Sequence, residues 1–157
     1  MSLENKKILL IIGGGISAYK SLDLIRMLQR KGSSVKVVLT KSGKKFVTSL
    51  SISSLSKNRV FEEMFDEKNK GKIDHISLSR WADLILVIPA TANFMSKLSK
   101  GSADDLASTI ILASNKDIFL VPAMNVRMWL HKATQKNLNT LIELSLIHIS
   151  EPTRRYE

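Results

Sequence analysis

Apolar positions along the chain fall into two rhythms. Lys7-Ile8-Leu9-Leu10-Ile11-Ile12 is a continuous run that stops at Gly13-Gly14-Gly15. Such a run reads as a strand buried on both faces, as in a parallel sheet. From Ser17 to Lys31 the spacing changes: Ala18, Leu22, Ile25 and Leu28 recur at helical intervals, with Arg26, Arg30 and Lys31 outside. Gly32 supplies the stop, and Val35-Lys36-Val37-Val38-Leu39 is the second strand. The unit is strand, glycine loop, helix, strand, with an expected right-handed crossover.

The middle is less regular. Lys44–Ser56 is expected to be a helix with Phe46, Val47, Leu50 and Leu55 inward, and residues 62–71 (EEMFDEKNKG) read as a polar loop. Order returns at Ile73-Asp74-His75-Ile76-Ser77-Leu78, and Leu84–Ile88 is a third buried strand ending at Pro89. A helix containing Asp105–Ala113, a strand over Ile118–Val121 ending at Pro122, and a helical stretch over 126–144 complete the pattern. Alternating strands and helices of this kind predict an α/β three-layer α/β/α sandwich, Rossmann-like, with a mostly parallel sheet. Ligands in such sheets sit beyond the carboxyl ends of the strands. Segments 13–18, 40–45, 89–95 and 122–129 occupy those ends, and all four are rich in small, hydroxyl or amide residues.

Composition narrows the class. The chain has 157 residues, 44% hydrophobic and 24% charged, with 7 Gly and 3 Pro, which suits one globular domain and excludes a disordered or collagen-like chain. Cysteine is absent, so disulfides, thiolate metal sites and a self-supplied catalytic thiol are excluded. No apolar run approaches the roughly 20 residues of a spanning helix, and the start lacks a signal-peptide pattern; a cytoplasmic protein without a membrane partner is expected. The net charge of +10 is concentrated in the first fifty residues. It raises nucleic acid, an anionic membrane or phosphate ligands as partners. Only Tyr19 and Phe46 are aromatic in that stretch, too few to interleave a nucleic-acid surface, so no nucleic-acid partner is expected.

Gly13-Gly14-Gly15-Ile16-Ser17-Ala18 fits G-x-G-x-x-A between a strand and a helix, a turn that lets backbone N–H groups approach an anion. A plain connecting turn is the alternative. The second strand ends in Thr40-Lys41-Ser42 with no carboxylate for a nicotinamide ribose, so hydroxyls and lysines point to phosphate instead. Asp104-Asp105 suits a helix start better than catalysis. Pro122-Ala123-Met124-Asn125-Val126-Arg127-Met128-Trp129 is more specific: Asn125 can orient a carboxylate or amide, and Met and Trp can wall an apolar slot. His75 is the best acid–base candidate, and no metal site is expected.

Together, Gly14–Lys20, His75-Ile76 before Arg80-Trp81-Ala82-Asp83, Pro89–Asn93, Asn125 within Pro122–Trp129, and Ala133-Thr134-Gln135 resemble the flavin-dependent cysteine decarboxylases. The match is specifically to the phosphopantothenoylcysteine decarboxylase domain of bacterial coenzyme A biosynthesis, over residues 5–142. The resemblance implies an FMN-binding fold assembled as a homo-oligomer, a trimer or multiple of trimers, with sites between subunits. By position, Gly14, Gly15, Ile16, Ser17, Thr40, Ser42, Thr91, Ala92, Asn93, Phe94 and Ala123 would hold FMN. Asn125 and Met124 would bind substrate, with Asn125 on its carboxylate. His75, from a neighbouring subunit, would be the acid–base residue. The implied reaction is decarboxylation of 4′-phosphopantothenoylcysteine toward 4′-phosphopantetheine through a thioaldehyde and an enethiolate.

The resemblance also implies a glycine-rich clamp with a cysteine beyond residue 144. Leu144–Glu157 has neither and reads as a cloning or adapter scar. The expected layout is therefore a C-terminally truncated decarboxylase domain over 1–144 and a non-native tail over 145–157. Such a domain would bind FMN without completing the coenzyme A reaction. The native protein would be fused to a domain ligating cysteine to phosphopantothenate. Two alternatives stay open: a peptidyl-cysteine decarboxylase that stops at the enethiol, and a non-catalytic FMN-binding subunit.

Overall fold

The continuous apolar run predicted at the start of the chain becomes an interior strand of the sheet, with a neighbour on each side. In the computed structural model, which describes residues 2–63, 74–144 and 147–150, β1 (Lys7–Ile12) is buried along all but its first residue. It pairs in parallel with β2 (Ser34–Leu39) on one side and with β3 (Leu84–Ala90) on the other. β4 (Asp117–Pro122) and β5 (Ile147–Ile149) extend the sheet, also in parallel. The order β2-β1-β3-β4-β5 has one reversal: the chain winds outward from β1 to β2, then returns across β1 to build β3. That switch point opens a crevice at the carboxyl ends of β1 and β3.

Each face has its own core. Ile8, Leu10 and Ile12 of β1 pack with Val35, Val37 and Leu39 of β2 beneath α1 (Lys20–Arg30) and α2 (Ser49–Ser56). Leu9 and Ile11 point the other way, with Ile85, Val87, Ile118 and Leu120. That face is covered by α3 (Asp74–Trp81), α4 (Ala92–Lys100), α5 (Leu106–Ala113) and α7 (Lys132–Glu143). Each fully buried Leu or Ile contributes roughly 1.5–3 kcal/mol, so the period-two alternation fixes the register against slippage. At the amino end, Asp83 closes the frame: its carboxylate accepts from the Lys7 N–H at 2.9 Å, and its own N–H donates to the Lys7 carbonyl at 2.7 Å.

Several expectations are corrected. The helix expected over 44–56 is a short 3-10 turn at Gly43–Lys45 followed by α2. Thr48 divides them, because its side chain accepts from the Ser51 N–H and caps α2. Phe46 and Leu50 are 49% and 76% exposed instead of inward, and Ile52 takes the core position. The first helix begins with a 3-10 turn at Ile16–Tyr19 before α1. The stretch 126–144 breaks at His131 into α6 (Val126–Leu130) and α7. Residues 64–71 of the expected polar loop lie outside the described residues, as do Ile73, Ser145, Leu146 and residues 151–157 of the tail.

Candidate functional site

The glycine loop lies where the strand order reverses, and its lack of side chains brings three loops together. A Cβ on Gly13 would collide with the Pro89 carbonyl oxygen at the end of β3, and one on Gly14 would stand 2.6 Å from the Ser42 Cβ beyond β2. The N–H groups of Gly14 and Gly15 have no hydrogen-bond partner among the described residues. Ile16 is 79% exposed beside them, and Ser17 is half-buried. This is a backbone cradle suited to an anion.

Thr40 braces the cradle. Its hydroxyl donates to the Ile12 carbonyl at 3.1 Å, and its oxygen accepts from the Gly43 N–H at 3.0 Å. Ser42 next to it is exposed and its hydroxyl is available to a ligand. On the other side of the crevice, Thr91 is the N-cap of α4, accepting from the Phe94 N–H at 3.1 Å. The Phe94 ring turns into the core, whereas Ala92 is half-buried and Asn93 exposed. Ala123 donates its N–H to the Ala90 carbonyl at 3.1 Å, fastening the loop after β4 to the end of β3.

Asn125 stands at the far wall as the N-cap of α6. Its Oδ1 accepts from the Met128 N–H at 2.9 Å, so the lone pairs face the helix and the Nδ2 hydrogens remain for a ligand. A group that accepts hydrogen bonds, such as a carboxylate, complements that arrangement. Met124 and Trp129 are half-buried and pack against the core beside it. His75 lies half-buried in the first turn of α3, the helix that packs on the sheet face opposite α1. It makes no hydrogen bond or ion pair among the described residues. One chain therefore joins the glycine loop, Thr40, Thr91 and Ala123 through mutual contacts, but no such bond links His75 to them.

Beside the end of β2 lies a cavity of about 640 Å³ lined by Leu39, Lys41, Lys44, Glu62, Glu63, Asp104, Asp105 and Leu106. Sequence reasoning did not place the lysines and glutamates together, because residues 62–63 and 104–106 are far apart in the chain. The Lys44 ammonium is 2.7 Å from Glu62, and that hydrogen bond and charge raise its pKa. Asp105 was legible as a helix-start carboxylate and is the N-cap of α5 in a capping box with Ser108. Burial works to raise its pKa, but hydrogen bonds from Ser108 and Lys97 outweigh it and hold the carboxyl below its usual range. Lys97 bridges Asp104 at 2.7 Å and Asp105 at 2.9 Å. Burial opposes its charge, yet the two carboxylates raise its pKa. A smaller apolar cavity of about 130 Å³, lined by Leu98, Ile111, Ile118 and Ile147 among others, lies by the amino ends of β4 and β5 and offers no chemistry. Among the described residues, no group of three or more His, Asp or Glu could hold a metal ion, and no helix is long and apolar enough to cross a membrane.

The family model described as Flavoprotein matches residues 1–156. The chain is 45% identical over 141 residues to the coenzyme A biosynthesis bifunctional protein CoaBC of Haemophilus influenzae, covering 90% of this chain and 35% of that protein. It spans little more than a third of the length of the curated relatives it matches. Among solved structures, it superposes on a PPC decarboxylase variant complexed with pantothenoylaminoethenethiol with a TM-score of 0.83 and 31% identity, over 96% of this chain and 84% of that one. SpaF, an FMN-dependent cysteine decarboxylase, superposes with a TM-score of 0.87 and 25% identity, over 96% of this chain and 87% of the other.

Proposed function

The chain belongs to the flavoprotein family, and we propose that it binds FMN at the β1/β3 crevice and decarboxylates 4′-phosphopantothenoylcysteine toward 4′-phosphopantetheine in coenzyme A biosynthesis. The observation that carries this reading is the orientation of Asn125, whose oxygen is held by α6 while its two N–H groups face outward. It gains support from the greater identity to CoaBC, 45%, than to EpiD solved with a substrate peptide, 26%, or to the FMN binding protein AtHal3, 30%. Residues 1–144 are the proposed decarboxylase domain. In the longer protein it would be joined to a ligase domain coupling cysteine to phosphopantothenate, in the cytoplasm.

Residues present here fit the cofactor. The unpartnered N–H groups of Gly14 and Gly15, with Ile16, Ser17 and Ser42, form a cradle for its phosphate. Thr40 holds that cradle's shape through Ile12 and Gly43. Thr91, Ala92, Asn93, the backbone of Phe94 and Ala123 would line the ring. FMN, when bound, would supply a two-electron acceptor for oxidation of the cysteinyl carbon–sulfur unit, which makes loss of carbon dioxide easy, and would hand the same two electrons back to the enethiol, so that the conversion to 4′-phosphopantetheine is redox-neutral overall.

The chain's own residues orient and enclose. Asn125 donates from Nδ2 to the substrate carboxylate, fixing it for cleavage, and Met124 and Trp129 keep water from the reacting carbons. His75, contributed by a neighbouring copy in a trimer or multiple of trimers, moves the proton through an imidazole nitrogen. Purified protein is expected to be yellow and to release free FMN on denaturation. Supplied with phosphopantothenoylcysteine, it should evolve carbon dioxide. A colourless protein that does not take up FMN overturns the reading. Turnover retained in His75→Asn rejects the role of His75, and turnover retained in Asn125→Asp rejects the reading carried by Asn125.

A further inference from the structure

α6 has only five residues, far below the length at which a helix holds itself together in water. Its placement must come from outside. At its start, Asn125 caps it; at its end, the chain turns at His131 and leaves the carbonyl of Trp129 without a helical donor. The Nε2 of Gln135 donates to that carbonyl at 2.6 Å. Gln135 is held in turn, because its N–H donates to the His131 carbonyl at 3.0 Å. His131 Nδ1 accepts from the Ala133 N–H at 3.0 Å and caps α7.

α7 is a firm base. Thr134 and Leu141 are buried, and Ser99 on α4 donates to Asn137 Oδ1 at 3.1 Å. α4 itself begins at the Thr91 cap on the same rim as the candidate site. A connected path thus runs from Thr91 through α4, Ser99, Asn137 and Gln135 to the end of α6, and across one helical turn to Asn125.

We infer that Gln135 is a positioning residue: it fixes α6 against α7 so that the Asn125 amide is presented to the substrate carboxylate. This rests on the proposed function, in which Asn125 binds that carboxylate. Gln135 touches neither cofactor cradle nor substrate, so its loss should loosen one wall of the site and leave the other.

The experiment uses the FMN-loaded protein carrying Gln135→Met, which keeps length without a donor, and Gln135→Glu, which keeps shape but presents a carboxylate to the Trp129 carbonyl. Amide exchange is followed at Met128, whose N–H is held by Asn125, and at Phe94, whose N–H is held by Thr91 as the internal reference. In both variants Met128 exchange is expected to accelerate about tenfold, the loss of roughly one hydrogen bond. Phe94 exchange and the flavin spectrum stay unchanged. The KM for phosphopantothenoylcysteine should rise about tenfold with kcat less affected. Unchanged Met128 protection overturns the brace, and equal acceleration at Phe94 reduces it to general loosening. Faster Met128 exchange with unchanged KM overturns the positioning role. A fully active Asn125→Asp variant instead rejects the functional reading beneath it, whatever Met128 does.

Discussion

The hydroxyl of Thr40 donates to the carbonyl of Ile12 at 3.1 Å, joining the end of β2 to the last residue of β1. Since the same oxygen accepts from Gly43, this one side chain ties the loop carrying Ser42 to the strand that delivers the glycine cradle. Thr40→Val keeps the shape and removes both bonds. It should cost about 1–2 kcal/mol of stability and weaken FMN binding measurably in a fluorescence titration. Unaltered FMN affinity would show that the cradle does not depend on this brace.

Asn125 combines a structural and a proposed chemical role, and two substitutions separate them. Aspartate is as good a helix cap as asparagine, so Asn125→Asp should melt within a degree or two of the parent. Its carboxylate would repel the substrate's, and turnover should fall by about 10²-fold or more. Asn125→Ala should lose turnover and also about 1 kcal/mol of stability. Paired thermal melts and carbon dioxide assays distinguish the two; equal melting losses in both would reject the capping assignment.

Gly14 stands against Ser42 with no room for a methyl group, since a Cβ would sit 2.6 Å from the serine Cβ. Gly14→Ala should push the two loops apart and cost roughly 1–3 kcal/mol as an overpacking change. Flavin retention through size-exclusion chromatography should drop with it. The companion change Ser42→Gly, made in the Gly14→Ala background, should recover part of the stability, and no recovery would place the strain elsewhere.

Asp105 is expected to make stability depend on acid. Its folded pKa is depressed by Ser108 and Lys97 against the pull of burial, so the stabilisation is fully present above the unfolded value of about 3.9. It is lost as pH falls through the lower folded value. Urea melts of the parent and Asp105→Asn should differ most near neutral pH and draw together as pH falls below the unfolded value of about 3.9 and through the depressed folded one. A gap that stays constant over the whole acid limb would mean that the charge on Asp105 contributes nothing. Lys97 has the opposite sign: its raised pKa adds stability that is present below about pH 10.4 and lost at higher pH.

Strand positions were legible because their pattern is local and saturated. β1, β2, β3 and β4 appear within a residue or two of the apolar runs that predict them. Carboxyl-end segments were legible for the same reason, since a parallel sheet places them on one rim. Helix limits were less so. Thr91 and Asn125 look like loop residues in sequence, and only the backbone N–H groups three residues on reveal them as caps. Phe46 and Leu50 fit a helical face on spacing, but the Thr48 cap resets the helix phase and turns them outward. The mixed-charge cavity was illegible because Glu62 and Asp105 meet only through the sheet topology.

The pair of hydrogen bonds between Asp83 and Lys7 lies at the end of the sheet opposite the glycine loop. It joins residues 76 positions apart and pins β1 to the entrance of β3. With that end latched, the strands cannot slide when a loop at the other end is lengthened, shortened or rewritten. The frame thus separates inheritance of architecture from variation in chemistry: one end keeps the register while the other is free to change what it holds.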